Sequence, residues 1–309
     1  MTQIGLFITI GTVLTLVISF LRTRPRRLPF YSWLGIAFLA TAEWLMFHHV
    51  WPVNIYFTPI AWSAYLMIVD GVVFAIRGHS RLRDAPGMFL LTALLSVPLW
   101  LIFEAYNLRL ENWTYVGVPV NWAGALLGYG WSFATITPGI LETEDLVESF
   151  GWFKPGRPVA FSAIGKKLMA AFGALCLILP IALPVHIGAY LFGLVWIGFV
   201  FLIDPINERV GAPSLLEDLA RGRRSRFYSL LISGWVCGWL WEFWNFWAGA
   251  KWRYIFPILQ HHKIFEMPFV GYLGFLPFAL ECFVMYSTAV FVLRLKGAMI
   301  DTSRCEPSA

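Results

Sequence analysis

The stretch "WLWEFWNFWAGAKWRY", Trp239 to Tyr254, puts five tryptophans, one glutamate and one asparagine into sixteen residues. Glu242 sits among indole rings in a segment apolar enough to be buried. A carboxylate in such a place is costly unless it is paired, protonated or used. The surroundings of this segment decide which class of protein carries it.

The chain has 309 residues, of which 59% are hydrophobic and 13% charged. An ordinary soluble domain carries roughly 25% charged residues, and the mean hydropathy here is +0.68. Apolar runs of about twenty residues recur along the length, each sufficient to cross a bilayer core of roughly 30 Å. They do not alternate in the manner of barrel strands. The expected fold class is therefore all-α: a polytopic integral membrane helical bundle.

Nine transmembrane spans are expected, near 3–21, 30–48, 56–76, 87–107, 119–141, 167–183, 185–203, 227–247 and 269–293. The net charge of +5 resides mostly in short connections: Arg22 to Arg27, Arg77 to Arg83, Lys154 to Lys167, Arg209 to Arg226 and Arg294 to Arg304. Basic residues in such loops are topology signals and do not imply nucleic acid. With the N-terminus outside and the C-terminus cytoplasmic, all five clusters fall on the cytoplasmic side, as expected for a multi-pass protein of a cell inner membrane. The first apolar run has no basic residue before it and reads as a true span, not a cleaved signal. Of the four cysteines, Cys176, Cys237 and Cys282 lie in apolar runs, and with Cys305 they show no metal or disulfide spacing.

The opening segment has a counterpart upstream. "WLIFEAYN" (Trp100 to Asn107) and "GWLWEFWN" (Gly238 to Asn245) each carry Glu followed three residues later by Asn. "NWTY" (Asn112 to Tyr115) answers "KWRY" (Lys251 to Tyr254), and "PGILE" (Pro138 to Glu142) answers "PFALE" (Pro277 to Glu281). Before them, Asp70 to Asp84 answers Asp204 to Asp218, with Ser80 and Leu82 aligned on Ser214 and Leu216. Four matches in one order, at offsets of 134 to 139, imply a duplicated unit of at least three spans. Both copies run the same way through the membrane, a parallel internal repeat whose interface is a natural site. The expected organisation is 1–55 as N-terminal helices, 56–150 as repeat 1, 151–184 as a connecting segment with one span, 185–293 as repeat 2 and 294–309 as a cytoplasmic tail.

The candidate catalytic residues follow from this pattern. Glu104 with Asn107, and Glu242 with Asn245, are i,i+3 pairs on one helix face. Glu281 falls well inside the ninth span, where an ionised, unpaired carboxylate costs at least a few kcal/mol. A buried acid that stays protonated is a proton donor near neutral pH. Trp241, Trp244, Trp252, Tyr254, Trp113 and Tyr115 are the candidate substrate-binding aromatics, whose faces attract positive charge. Glu266 and Glu142 are candidate cavity acids. The competing reading of every one of these acids is interhelical hydrogen bonding, and of the loop aromatics an interfacial belt. Asp70 and Asp204 read as helix-end residues. No di-iron histidine boxes, GxSxG, P-loop or dinucleotide fingerprint occurs, so no metal and no cofactor is expected.

The order acid, W-x-Y, proline, glutamate at the end of a duplicated unit resembles the membrane lycopene cyclase domain. The residues carrying the resemblance are Trp113, Tyr115, Pro138 and Glu142, then Trp252, Tyr254, Gly271, Pro277 and Glu281. It implies carboxylates that protonate a polyene without metal or redox change, with a hydrophobic lipid substrate and membrane lipids as the partners. The spacing differs from the family's, in which the glutamates usually follow the proline more closely and come as a pair, whereas here one glutamate stands four residues on. Two further classes fit the same residues: a proton-coupled carrier, and an anchoring protein whose acids only bind helices together.

Overall fold

The computed structural model describes residues 1–293; the expected tail 294–309, with its basic cluster and Cys305, lies outside the described residues. The chain is a bundle of long helices carrying two small two-stranded sheets at one end. Its helices are α1 (Thr2–Arg22), α2 (Phe30–Phe47), α3 (Phe57–Arg77), α4 (Arg81–Asp84) and α5 (Pro86–Leu110). Strand β1 (Trp113–Val116) precedes α6 (Trp122–Ala134), α7 (Ile136–Ser149), α8 (Ala163–Ala182), α9 (Val185–Gly188) and α10 (Phe192–Val210). Then come α11 (Leu215–Ala220), α12 (Ser225–Trp247), strands β2 (Lys251–Tyr254), β3 (Lys263–Ile264) and β4 (Met267–Pro268), a 3₁₀ helix Phe269–Gly274 and α13 (Phe275–Val292).

Among the described residues seven helical stretches are long and apolar enough to cross a membrane: α1, α2, α3, α5, α8, Val185–Val210 and Phe269–Val292. The protein is thus a multi-pass helical membrane protein. Two of the nine expected spans differ in kind. The stretch 119–141 divides at Thr135 into α6 and α7, and α7 continues to Ser149. The stretch 227–247 is one helix, α12, but its indoles, Glu242 and Asn245 keep its hydropathy low. It is buried along much of its length instead of facing lipid. The longer α7 also corrects the expected boundary at 141, since Glu142 lies within it. Glu142 and Glu281 are each the seventh residue of their helix, four after a proline at the third.

Helices α3, α7, α12 and α13 form the middle of the bundle, with α1, α2 and α8 largely exposed around them. Polar side chains tie the inner helices together. Tyr65 Oη and Thr143 Oγ1 are 2.7 Å apart, Thr143 Oγ1 and Cys237 Sγ are 3.3 Å apart, and Ser233 Oγ donates to Ile140 O at 2.7 Å. Buried hydroxyls of this kind join helices where lipid offers no hydrogen bond.

At the end away from β1 and β2, α3 and α10 stop on left-handed glycines, Gly78 and Gly211, with φ of 83° and 78°. A residue with a Cβ is strained there. Each helix then sends an aspartate to cap the short helix that follows. Asp70 accepts from Leu82 N and Ser80 Oγ at 2.8 Å and from Tyr31 Oη at 2.6 Å. Asp204 accepts from Leu215 N at 2.8 Å and Leu216 N at 2.9 Å. The aspartates therefore lie inside α3 and α10, not at their ends, and reach forward to the backbone amides of the following short helices, Asp70 with two hydroxyls in addition. Beside them an ion network joins α3, α4, α7, α11 and α12: Arg77 with Asp145 and Glu148, Arg81 with Glu144 and Asp145, Arg226 with Glu144 and Asp218. Burial opposes the charge on Arg81, and the Asp145 and Glu144 carboxylates outweigh it and hold the guanidinium above its usual range.

Candidate functional site

The two W-x-Y segments are the strands β1 and β2, and they pair antiparallel with each other. The register sets Trp113 opposite Tyr254, Thr114 opposite Arg253 and Tyr115 opposite Trp252. Because side chains alternate along a strand, the two tryptophans and two tyrosines share one face. Thr114 and Arg253 take the other face and are exposed.

Each strand is fixed to its own helix by an asparagine. Asn107 Nδ2 donates to Trp113 O at 2.9 Å, while its Oδ1 accepts from Asn112 N at 2.8 Å and Trp113 N at 3.0 Å. Asn245 Nδ2 donates to Trp252 O at 2.9 Å, and its Oδ1 accepts from Trp252 N at 3.0 Å. The amides therefore hold the strand backbone and not the glutamates with which they share a helix face. One turn below, the glutamates receive the rings. Glu104 Oε1 accepts from Trp100 Nε1 at 2.8 Å, Trp113 Nε1 at 3.3 Å and the Tyr115 hydroxyl. Glu242 Oε1 accepts from Trp252 Nε1 at 3.2 Å and Tyr254 Oη at 3.0 Å. Glu242 is wholly buried, and its Oε2 takes no hydrogen bond among the described residues. Burial, followed by the Glu104 carboxylate, pushes the Tyr115 phenol well above its usual range. Burial and Glu242 do the same to Tyr254. Both phenols accordingly stay protonated and donate.

Under this sheet lies an apolar cavity of about 450 Å³. That is the size of a site for one small-molecule or lipid moiety. Trp113, Tyr115, Trp252 and Tyr254 line it from the sheet, and Trp62, Trp100, Trp196, Trp241 and Phe278 line it from the bundle. The rings pack edge to face and tilted: Trp62 to Trp241 at 5.0 Å, Trp196 to Phe278 at 5.2 Å, Trp241 to Phe278 and Trp100 to Phe278 at 5.8 Å between centroids. Glu104 and Glu242 reach the cavity through their tyrosines and indoles.

The remaining expected site residues lie elsewhere. Trp244 is behind Trp62, at 5.3 Å between centroids, and donates to Glu43 Oε1 at 3.1 Å. Glu266 pairs with Lys251 at 3.4 Å and Arg253 at 3.8 Å on the sheet. Glu142 and Glu281 are fully buried in α7 and α13, outside the cavity lining, and none of their oxygens has a hydrogen-bond partner among the described residues. Sequence reading missed Glu43, Trp62, Trp100 and Trp196. A signal for two of them was present. Trp62 and Trp196 are separated by the same 134 residues as Asp70 and Asp204.

The fold and this site define a multi-pass helical membrane protein with an aromatic cavity walled in part by two Trp–Tyr pairs, each hydrogen-bonded to a glutamate behind it. Comparison with family models, curated proteins and solved structures finds no match for the chain.

Proposed function

We propose that the protein is an intramembrane enzyme acting on an isoprenoid-like lipid by non-redox acid–base chemistry of the cyclase, isomerase or hydratase type. The observation that carries this reading is the single sheet face that brings both Trp–Tyr–Glu groups to one apolar, π-rich cavity. For a cyclase or isomerase, one group delivers a proton to an alkene carbon and the other removes a proton from another carbon, so that no atoms are gained or lost. For a hydratase, a water molecule captures the cation and gives up its proton to the second group, adding one water. Tyr254 with Glu242 and Tyr115 with Glu104 are the two proton-handling pairs. Each tyrosine passes a proton between the cavity and its carboxylate. The indole faces stabilise the intervening cation, an interaction worth about 2 kcal/mol or more when desolvated. The resemblance to the membrane lycopene cyclase domain implies chemistry of the same class, but its glutamates Glu142 and Glu281 stand outside this cavity, and their role falls here to Glu104 and Glu242.

The reading includes a duplication. Two copies of one unit, 56–150 and 185–293, cross the membrane in the same sense within nine crossings, with the N-terminus outside and the C-terminus cytoplasmic in an inner membrane. Support comes from the matched roles of Asn107 and Asn245, Glu104 and Glu242, Asp70 and Asp204, and Glu142 and Glu281.

The test is lipid extraction and mass spectrometry from a host making carotenoids and polyprenols, with wild type and Glu242→Gln side by side. The expected result is an isoprenoid of unchanged mass, or of mass shifted by one water, that is lost in the variant. An unchanged lipid profile in a host containing the folded protein would overturn the enzyme. A second reading, a proton-coupled carrier, draws on Glu142 and Glu281. Intramembrane acids without hydrogen-bond partners are a feature of proton pathways, and proton-dependent uptake into vesicles is its test.

A further inference from the structure

We infer that the cavity takes its ligand sideways from the bilayer, as a membrane-dissolved apolar chain, through a mouth between the start of α10 and the 3₁₀ helix before α13. This deepens the proposed function by naming the source of the ligand and its route to the same site.

The two lateral walls of the cavity are built from corresponding parts but closed differently. On one wall Tyr56 precedes Trp62 by six residues; on the other Tyr190 precedes Trp196 by six, and all four line the cavity. Tyr56 is covered by α6, a helix of thirteen residues, and donates from its hydroxyl to Gly124 O at 3.2 Å. Gly124 and Gly128 on α6 let the ring lie against the helix, since a Cβ there would meet Tyr56 atoms at 3.0 and 3.4 Å. On that wall Tyr56, Gly124 and Gly128 are all partly buried. On the other wall the place of α6 is taken by a 3₁₀ helix of only six residues, Phe269–Gly274. Tyr190 and Leu273, both cavity-lining, are 54% and 67% exposed. Gly193, also cavity-lining and exposed, has open space where a Cβ would stand.

The position of this mouth decides what passes through it. Tyr190 is the sixth residue of the apolar stretch Val185–Val210, and Leu273 is the fifth of Phe269–Val292. At the rise of α and 3₁₀ helices they stand roughly 8 Å inside the apolar stretches. The mouth is thus flanked by helices apolar enough to face lipid. Toward water, by contrast, the cavity is roofed by the β1–β2 pair, whose outer face carries Arg253, ion-paired to the nearby Glu266. A water-borne ligand meets the roof, whereas a chain already dissolved in the membrane meets the opening.

The probe is geranylgeraniol carrying a diazirine, dissolved in phosphatidylcholine vesicles that hold the full chain. Light-induced cross-links are mapped by mass spectrometry. Wild type should be labelled on peptides containing Trp196, Trp241 or Phe278. Gly193→Trp, which fills the open space, should lower that labelling roughly tenfold or more, while Gly193→Ala should not. Gly11→Trp, equally open but on α1, controls for added surface bulk and should leave labelling unchanged. Undiminished labelling in folded Gly193→Trp would overturn the proposal, and so would absence of cavity labelling in wild type. Labelling needs no turnover, so the two ideas fail separately. Cavity labelling through the mouth with no lipid converted would sink the chemistry and leave the route. Full conversion by Gly193→Trp would sink the route and leave the chemistry.

Discussion

Trp113 lies opposite Tyr254 in the β1–β2 ladder, yet the two rings hydrogen-bond different glutamates, Trp113 to Glu104 and Tyr254 to Glu242. Each acid is read by its own strand, and the ladder sets the spacing between the two groups. On an antiparallel pair diagonal neighbours such as Tyr115 and Tyr254 stand about 7–8 Å apart, somewhat less at Cβ. That leaves room for part of a ligand between them.

Conservative changes at the rings and acids should separate chemistry from packing. Tyr254→Phe and Tyr115→Phe keep the ring and remove the proton. Each is expected to lower turnover by about 10²- to 10⁴-fold, the usual contribution of general acid–base catalysis, with little change in folded yield. Glu242→Gln should match Tyr254→Phe, because the two act as one unit, and the double variant should add little. The check is product formed per folded protein in a lipid extract. Additive losses would sink the pairing.

The asparagines should behave differently. Asn107→Ala and Asn245→Ala each leave buried strand groups unpaired, costing about 1–3 kcal/mol. Thermal unfolding in detergent should fall for both, and product should fall with loss of the sheet. Near-wild-type stability would show that the strands are held by something else.

The ion network at the far end predicts a purely structural loss. Arg81→Met removes one of two cations from each of Asp145 and Glu144, leaving only Arg77 and Arg226 beside them, at a cost below the about 3–5 kcal/mol of a fully broken buried pair. Folded yield is the readout, and cross-linking of a lipid probe in the molecules that do fold should be normal.

The phenols predict the alkaline limb. Tyr115 and Tyr254 are raised above the ordinary value of 10.0 by burial and by their carboxylates. A raised value in the folded state means that the stability they contribute is fully present below the unfolded value. It is lost as pH rises above about 10 toward the folded values. Unfolding midpoints should therefore be insensitive to these groups at neutral pH and fall steeply above pH 10. In a spectrophotometric titration Tyr254→Phe should delete a late-titrating tyrosine. Deletion of an ordinary one would contradict the burial.

Much of this was legible in the chain. The Glu–x–x–Asn and W-x-Y pairs each stand out because a carboxylate or amide in a greasy segment must be satisfied by something nearby. Their order repeats, and the structure brings Trp113, Tyr115, Trp252 and Tyr254 together at the cavity. Less visible was how the satisfaction is distributed. Sequence spacing puts Asn245 and Glu242 on one helix face, but only the strand's return path decides that Asn245 takes the backbone and Glu242 the rings. Apolar runs locate α12 at 227–247 but do not show that it is an inner helix with low mean hydropathy, because an indole counts as polar on such scales while packing as a large apolar body; the α6–α7 break was not visible either. Glu266 looked like a cavity acid from its place before the ninth span, and its ion pairs with Lys251 and Arg253 follow from a strand whose position no local signal specifies.

The roof of the cavity has an order of manufacture. One of its strands ends at Val116 and its mate at Tyr254, 138 residues later. At a synthesis rate of about 5–20 residues per second that gap lasts roughly 7 to 28 s. Throughout that interval Glu104 and its aromatic neighbours wait without the opposite strand, and the chamber has no lid. The chamber therefore cannot be closed before β2 has been made. Its first half is incomplete until the second half arrives to shake hands with it, and a ribosome that stalls between the two leaves nothing that resembles a finished site.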